Sequence, residues 1–287
     1  MASVDPAQRW TVVGAGGMLG HDLVDLLTAA GTPVAALTHD DVDVTAADAT
    51  RRALAGADVV VNAAAWTDVD GAETHEPEAM AVNALGAANV ARGARLAGAR
   101  LIHLSTDYVF DGQATTPYPE SAATAPESVY GRSKAAGERA VRDEAFDHLI
   151  VRTAWLYGAH GRCFPRTMVR LAAERDRLAV VDDQVGQPTW TRDLADLILR
   201  LVDARAPVGT YHGTASGTTS WHGFARRVLA SAGSSVPVDP VPTEAFPRPA
   251  PRPRYSVLGH DALRRAGVEP IGDWAERWDV AAPSVLA

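Results

Sequence analysis

An α/β fold, a Rossmann-type doubly wound parallel sheet with a smaller, irregular C-terminal lobe, is predicted by three observations. Short β-branched runs alternate with longer apolar-periodic stretches through the first 150 residues, the pattern of parallel strands joined by crossover helices. The first run ends in a glycine-rich turn that opens straight into a helix, the beginning of a βαβ unit. Beyond residue 150 the alternation weakens, and seven prolines fall between Pro237 and Pro253.

Taken in order, Trp10-Thr11-Val12-Val13 reads as a buried strand, followed by the glycine turn and a helix over 18–30. Gly31-Thr32-Pro33 ends that helix, since neither glycine nor proline sustains one, and 34–37 resumes as a strand. Thr45-Ala46-Ala47-Asp48 approximates a capping box for a short helix to residue 54. Val59-Val60-Val61 is the third strand and closes in Asn62-Ala63-Ala64-Ala65. A long helix over 77–96 has proline in its first turn and glycine near its end. The fourth strand is 101–105, a polar loop covers 111–127, and a helix carrying Tyr130 and Lys134 precedes the fifth strand at 149–152. Further helices are expected near 164–175, 191–204 and 220–231, with a short strand at Val180-Val181. The proline-rich stretch 237–253 is expected to be a loop without regular structure, draped over the site.

The composition excludes several functions. Apolar residues make up 47% of the chain and charged residues 22%, an ordinary globular balance, and no apolar run approaches the length of a membrane span. A net charge of −8 without a basic run argues against nucleic acid or an anionic membrane as partner. The opening Met-Ala-Ser-Val-Asp-Pro has no basic or apolar region of a secretion signal. Cys163 is the only cysteine, so no internal disulfide forms, which suits the cytoplasm.

Gly14, Gly17 and Gly20, with Met18 and Leu19 between the last two, lie between a strand and a helix. Glycines there let a pyrophosphate reach backbone N–H groups at the positive end of a helix, so a dinucleotide is the expected cofactor. The second strand ends at Thr38, about 24 residues past Gly14. An acidic residue at that place would take a ribose 2′-hydroxyl and exclude a 2′-phosphate; Thr38 does neither, which leans towards NADPH and leaves NADH open. Asp43-Val44 stands where a loop passes an adenine, or is a polar loop before a helix. Ala63, Ala64 and Ala65 are small enough for a flat cofactor to lie across the strand ends, or for tight packing. A dinucleotide-binding domain at 1–150, with later contributions from about 186–215, and a substrate lobe at 151–287 follow from this reading.

Lys134 is the only lysine; the other 26 basic residues are arginine. It stands four residues after Tyr130, so on a helix the phenol and the ammonium share one face. An ammonium near a phenol lowers its pKa and makes it a general acid/base. Thr106, at the end of the fourth strand in Ser105-Thr106-Asp107-Tyr108-Val109-Phe110, offers a hydroxyl to a substrate carbonyl and to the phenol.

These motifs, with Ala64–Asp70, Asn83, Arg152–Gly158 and Asp183-Gln184-Val185-Gly186-Gln187-Pro188-Thr189, resemble the extended short-chain dehydrogenase/reductases, and among them the dTDP-4-dehydrorhamnose reductase family. The resemblance runs from Trp10 to Trp278. It implies Thr106, Tyr130 and Lys134 as the catalytic set, and Thr106, Asp107 and Trp155 as residues approaching a dTDP-sugar. It also implies NAD(P)H-dependent reduction of a 4-keto-6-deoxyhexose, most commonly dTDP-4-dehydrorhamnose to dTDP-L-rhamnose, with Lys134 also holding the nicotinamide ribose. Some relatives form a dimer bridged by metal through glutamates. Here those neighbourhoods read His21-Asp22, Thr191-Arg192-Asp193 and 255–260, so no magnesium and a monomer or weak dimer are expected. Scattered histidines likewise argue against zinc.

Several alternatives stay open. Arg252 or Arg254 reaches a diphosphate, or both are solvated. Asp107 is followed by Tyr108 and not glutamate, which counts against a dehydratase. A 4-epimerase, another deoxysugar ketoreductase and a cofactor-binding regulatory subunit without catalysis share the same motifs.

Overall fold

The structure, a computed structural model, describes residues 5–287, so the first four residues of the stretch read for a secretion signal lie outside it. Five strands carry the sheet: β1 (Trp10–Val13), β2 (Val34–Leu37), β3 (Val59–Asn62), β4 (Arg100–Thr106) and β5 (His148–Thr153). A sixth, Gly209–His212, adds to the edge beyond β5. The order is Gly209–His212, β5, β4, β3, β1, β2, with every pairing parallel. The sequence reading did not anticipate the edge strand, because Gly-Thr-Tyr-His shows one apolar residue and no β-branched run.

Helices cover both faces. On one side α1 (Met18–Ala29) packs on α8 (Thr191–Asp203), and Leu23, Leu27, Leu194 and Ile198 are fully withdrawn from water. On the other lie α2 (Ala47–Ala53), α5 (Ala87–Ala97) and α6 (Val129–Glu144). Between β3 and α5 come α3 (Val69–Ala72) and α4 (Glu76–Met80), the latter running into a π-helical turn at Ala81–Gly86. The helix expected over 77–96 is therefore continuous in path but changes register midway. There the Asn83 side chain is fully used, accepting from the Trp66 N–H at 2.9 Å and donating to the Ser133 hydroxyl at 2.9 Å.

The second lobe has a core of its own, centred on Phe224, Trp278 and Tyr157 and closed by α7 (Phe164–Glu174) and α9 (Trp221–Ser231). Two local expectations are corrected. Thr45 does not cap α2; its N–H and hydroxyl donate to Asp43 at 2.9 and 2.7 Å, and Ala46 takes the N-cap place. The stretch 237–253 contains regular structure, since Val238–Val241 pairs in parallel with Leu178–Val181. Pro240 is tolerated because the strand pairs on one side only, and an edge needs no further N–H.

Candidate active site

The order of the strands reverses between β1 and β3, and at their carboxyl ends a crevice opens where open α/β sheets bind ligands. Gly14 ends β1 with φ +85°, and a Cβ there would stand 2.6 Å from the Ala64 nitrogen. Only glycine serves at that place, on grounds of both backbone and space. The helix α1 begins at Gly17 with no side-chain cap, so its first N–H groups face the crevice free to take an anion. A cavity of about 460 Å³ lies here, lined by Gly14, Gly17, Met18, Leu19, Gly20, Ala63 and Ala65 on the side of the glycine turn. Thr106, Asp107, Tyr130, Lys134 and Trp155 line the other side, so twelve of the proposed residues converge on one space.

Four do not reach it. Thr38 donates its N–H and hydroxyl to Asp41 at 2.8 and 2.7 Å, at the outer end of β2. Asp43 is exposed and occupied by Thr45. Val44 is buried in the sheet-helix core, where its side chain would meet any Cβ at Gly86. Ala64 turns its N–H to the Asn62 side-chain oxygen at 3.2 Å. Thr38 still borders the turn from outside, its methyl 3.8 Å from where a Cβ of Gly16 would be.

The opposite side of the cavity comes from α6 and the end of β4. Ser128 caps α6 by accepting from the Gly131 N–H at 3.0 Å, and Glu73 accepts from the Val129 N–H at 2.9 Å. This fixes the first turn, which carries Tyr130. Thr106 lies across from it, its oxygen accepting from the Tyr108 N–H at 3.2 Å and its hydroxyl donating to Asp107 Oδ1 at 2.9 Å. Lys134, 3% exposed, donates from Nζ to the Leu104 carbonyl at 2.6 Å.

The electrostatics correct one expectation. Burial pushes the Tyr130 phenol up to about 12, with the Thr106 hydroxyl opposing and the Asp107 charge adding to the rise. Burial outweighs the pull towards neutrality expected from Lys134, whose ammonium donates to the Leu104 carbonyl. Burial also brings Lys134 down to about 8, against the charge of Glu138. Asp107 is raised by burial to about 6, opposed by the Ser256 and Thr106 hydroxyls, and its Oδ2 has no hydrogen-bond partner. At neutral pH the phenol is thus protonated.

The far wall contains residues that sequence reasoning missed. Trp155 adopts φ +48°, rare for a non-glycine residue, and lies flat on Trp221 with ring centroids 3.6 Å apart at 8°. Behind it, a Cβ at Gly186 would stand 2.5 Å from the Trp155 ring. The Asp183–Thr189 string therefore serves as the back of the tryptophan, and its Gln187 ties Leu258 and Thr214 together by bonds of 2.8 and 2.9 Å. Tyr108 and Trp221 also line a second cavity, about 790 Å³, together with Phe164, Gln184, Arg248 and Arg252. Arg252 is not solvated: it donates to Asp70 at 2.7 Å and lies 19% exposed. The only signal for Trp221 was the Ser220 cap beside it, which announces a helix start and not a site.

In the neighbourhoods compared with metal-bridged relatives, Asp22 accepts from the Thr191 hydroxyl at 2.5 Å, and His21 stacks on His160. Among the described residues no group of three or more His, Cys, Asp or Glu side chains is arranged to hold a metal.

A glycine cradle at the switch point, with a Tyr–Lys helix facing a strand-end hydroxyl, defines a short-chain dehydrogenase/reductase of the extended type. The family model of the RmlD substrate binding domain matches residues 8–283, and the chain belongs to that family, the dTDP-4-dehydrorhamnose reductases. It is 48% identical over 283 residues to a dTDP-4-keto-6-deoxy-D-glucose reductase of Streptomyces niveus, covering 97% of this chain and 98% of that one. It is equally 48% identical over 277 residues to a dTDP-4-dehydrorhamnose reductase of Streptomyces griseus, covering 94% and 91%. The crystal structure of dTDP-4-dehydrorhamnose reductase from Bacillus anthracis in complex with NADP superposes with a TM-score of 0.92 at 37% identity, covering 96% and 98%.

Proposed function

We propose that this chain reduces the C4 ketone of a dTDP-4-keto-6-deoxyhexose with NADPH, converting dTDP-4-dehydrorhamnose to dTDP-L-rhamnose. The observation that carries the reading is the buried Tyr130 phenol beside the Thr106 hydroxyl in the cavity bordered by the glycine turn. The residues fit a dinucleotide: Gly14 leaves room for it, the uncapped start of α1 takes its pyrophosphate, and Ala63 and Ala65 border a flat ring. When bound, NADPH supplies a hydride to the carbonyl carbon. The Thr106 hydroxyl, turned from Asp107 Oδ1 to the substrate, donates a hydrogen bond to the carbonyl oxygen, and Tyr130 hands its proton to that oxygen as charge develops there. A sugar alkoxide is more basic than a phenolate, so the transfer runs downhill even from a phenol held near 12. Lys134 offers its remaining N–H donors to the nicotinamide ribose. Residues 1–150, with 186–215, hold the cofactor, and 151–287 mainly hold the sugar nucleotide.

The nucleoside diphosphate fits the second cavity, where Arg248 and Arg252, sharing the single carboxylate of Asp70, leave a net positive charge and Phe164 and Phe246 supply apolar surface. Tyr108 and Trp221 border both cavities and so mark the joint between sugar and diphosphate. Gly186→Ala should force Trp155 against Trp221. Overpacking of this kind costs about 1–3 kcal/mol of stability, and with the tryptophan displaced kcat/KM for the sugar should fall by roughly tenfold. NADPH affinity, read by fluorescence titration, should change far less, because Gly186 backs the Trp155 ring and not the glycine turn.

The Streptomyces niveus relative gives a second substrate reading, a ketosugar that has not been epimerised. Oxidation of NADPH and NADH with dTDP-4-keto-6-deoxyglucose, with and without a 3,5-epimerase, separates the two. Turnover only with the epimerase, and faster with NADPH, is the expected result. Turnover without it favours the second substrate. No net oxidation in either arm counts against reduction and leaves the 4-epimerase or the regulatory subunit. We place the enzyme in the cytoplasm as a monomer or weak dimer, supported by its single buried thiol and by the departures near Asp22 and Arg192; gel filtration tests the second point. No helix among the described residues is long and apolar enough to cross a membrane.

A further inference from the structure

The stripe that carries Tyr130 and Lys134 continues for one more turn, to a carboxylate the reaction has not yet used. Glu138 follows Lys134 by four residues and is wholly buried. Its Oε1 accepts from the Ser105 hydroxyl at 2.7 Å and from Arg152 Nε at 2.8 Å. Its Oε2 accepts from Arg152 Nη2 at 2.8 Å and from Arg142 at 2.9 Å. Ser105 and Arg152 are register partners on β4 and β5, so they project from the same face of the sheet onto α6. Leu104, whose carbonyl holds Lys134, and Ser105, whose hydroxyl holds Glu138, are consecutive, and Thr106 comes next.

We propose that Glu138 is a positioning residue for the reaction: its carboxylate ties α6 to the end of β4 and supplies the counter-charge that keeps Lys134 an ammonium. This rests on the assignment of Tyr130 and Lys134 above. Removing a buried carboxylate leaves its arginines uncompensated, and here those cations gather on a side chain one helical turn from the lysine. The other groups around Lys134 do not substitute for it. His103 on β4 is kept neutral by burial, Tyr130 is protonated, and Asp107 lies beyond Thr106. Arg152 on β5 and Arg142 on α6 carry positive charge, the π turn presents the uncharged Asn83, and Arg92 of α5 pairs with Glu144 at the far end of α6.

A chain with one lysine permits a direct test that needs no turnover. Protein grown on lysine labelled with 13C at Cε gives a single lysine signal, whose shift against pH titrates Lys134 itself. In the unaltered enzyme the midpoint should fall near 8. Glu138→Gln should lower it by about one unit, and Arg152→Met, which unmasks the carboxylate, should raise it by a similar amount. Ser105→Ala leaves the charges in place and should leave the midpoint alone while lowering kcat. A midpoint unmoved by Glu138→Gln overturns the proposal. Should that variant fail to fold, Arg152→Met decides: a rise supports the proposal, and an unmoved or lowered midpoint overturns it. Because the signal is read without ketosugar, absence of reductase activity would sink the functional reading and leave this result standing.

Discussion

Replacing Tyr130 by phenylalanine should lower kcat by about 10²-fold or more, with NADPH and dTDP affinities close to unaltered. The ring stays, and with it the edge-to-face contact with Tyr108 at 5.6 Å and the packing of the first turn of α6. What is lost is the proton. Burial holds the phenol near 12, so it stays protonated through the neutral and mildly alkaline range, and the rate should show no alkaline limb from it there. Asp107, held near 6, is another acid in the cavity, but its Oδ1 is taken by the Thr106 hydroxyl. Steady-state kinetics with separate binding titrations checks this. Near-normal kcat in the phenylalanine variant would remove Tyr130 from the chemistry.

Lys134→Arg should be nearly as damaging, about 10²-fold in kcat/KM, although the charge is conserved. A compact ammonium fits a space that leaves it 3% exposed, with one donor spent on the Leu104 carbonyl. A planar guanidinium has five donors and no such space. The pH profile gives a second signature. Burial lowers Lys134 to about 8, so the ammonium is present below that pH and is lost as pH rises through it. Activity that needs the ammonium should therefore decline on the alkaline side of about 8. Arginine does not lose its proton there, so the slow variant should lack that decline. A full alkaline limb in the variant would assign it to another group.

Strands β1 to β5 were legible because β-branched runs sit between glycines and polar turns, leaving one way to bury them. The edge strand was not, since a strand paired on one side needs little apolar surface of its own. The π turn escaped notice because apolar periodicity is nearly the same on either side of it, and what sets it is the bonding of Asn83 to Trp66 and Ser133. In the site, spacing alone revealed the shared face of Tyr130 and Lys134. It did not reveal where the ammonium points, which depends on a carbonyl 30 residues away on β4. Trp221 meets Trp155 only through the folding of the second lobe, and Arg252 meets Asp70 across 182 residues. Such contacts leave no periodic trace in a single sequence.

The most direct test follows a labelled hydrogen. NADPH carrying deuterium at the transferable C4 position, given with dTDP-4-keto-6-deoxyglucose and the 3,5-epimerase, should yield a deoxysugar nucleotide with one deuteron at C4 for each NADPH consumed. A product without that deuteron, or one formed with no NADPH consumed, would contradict direct reduction at this site.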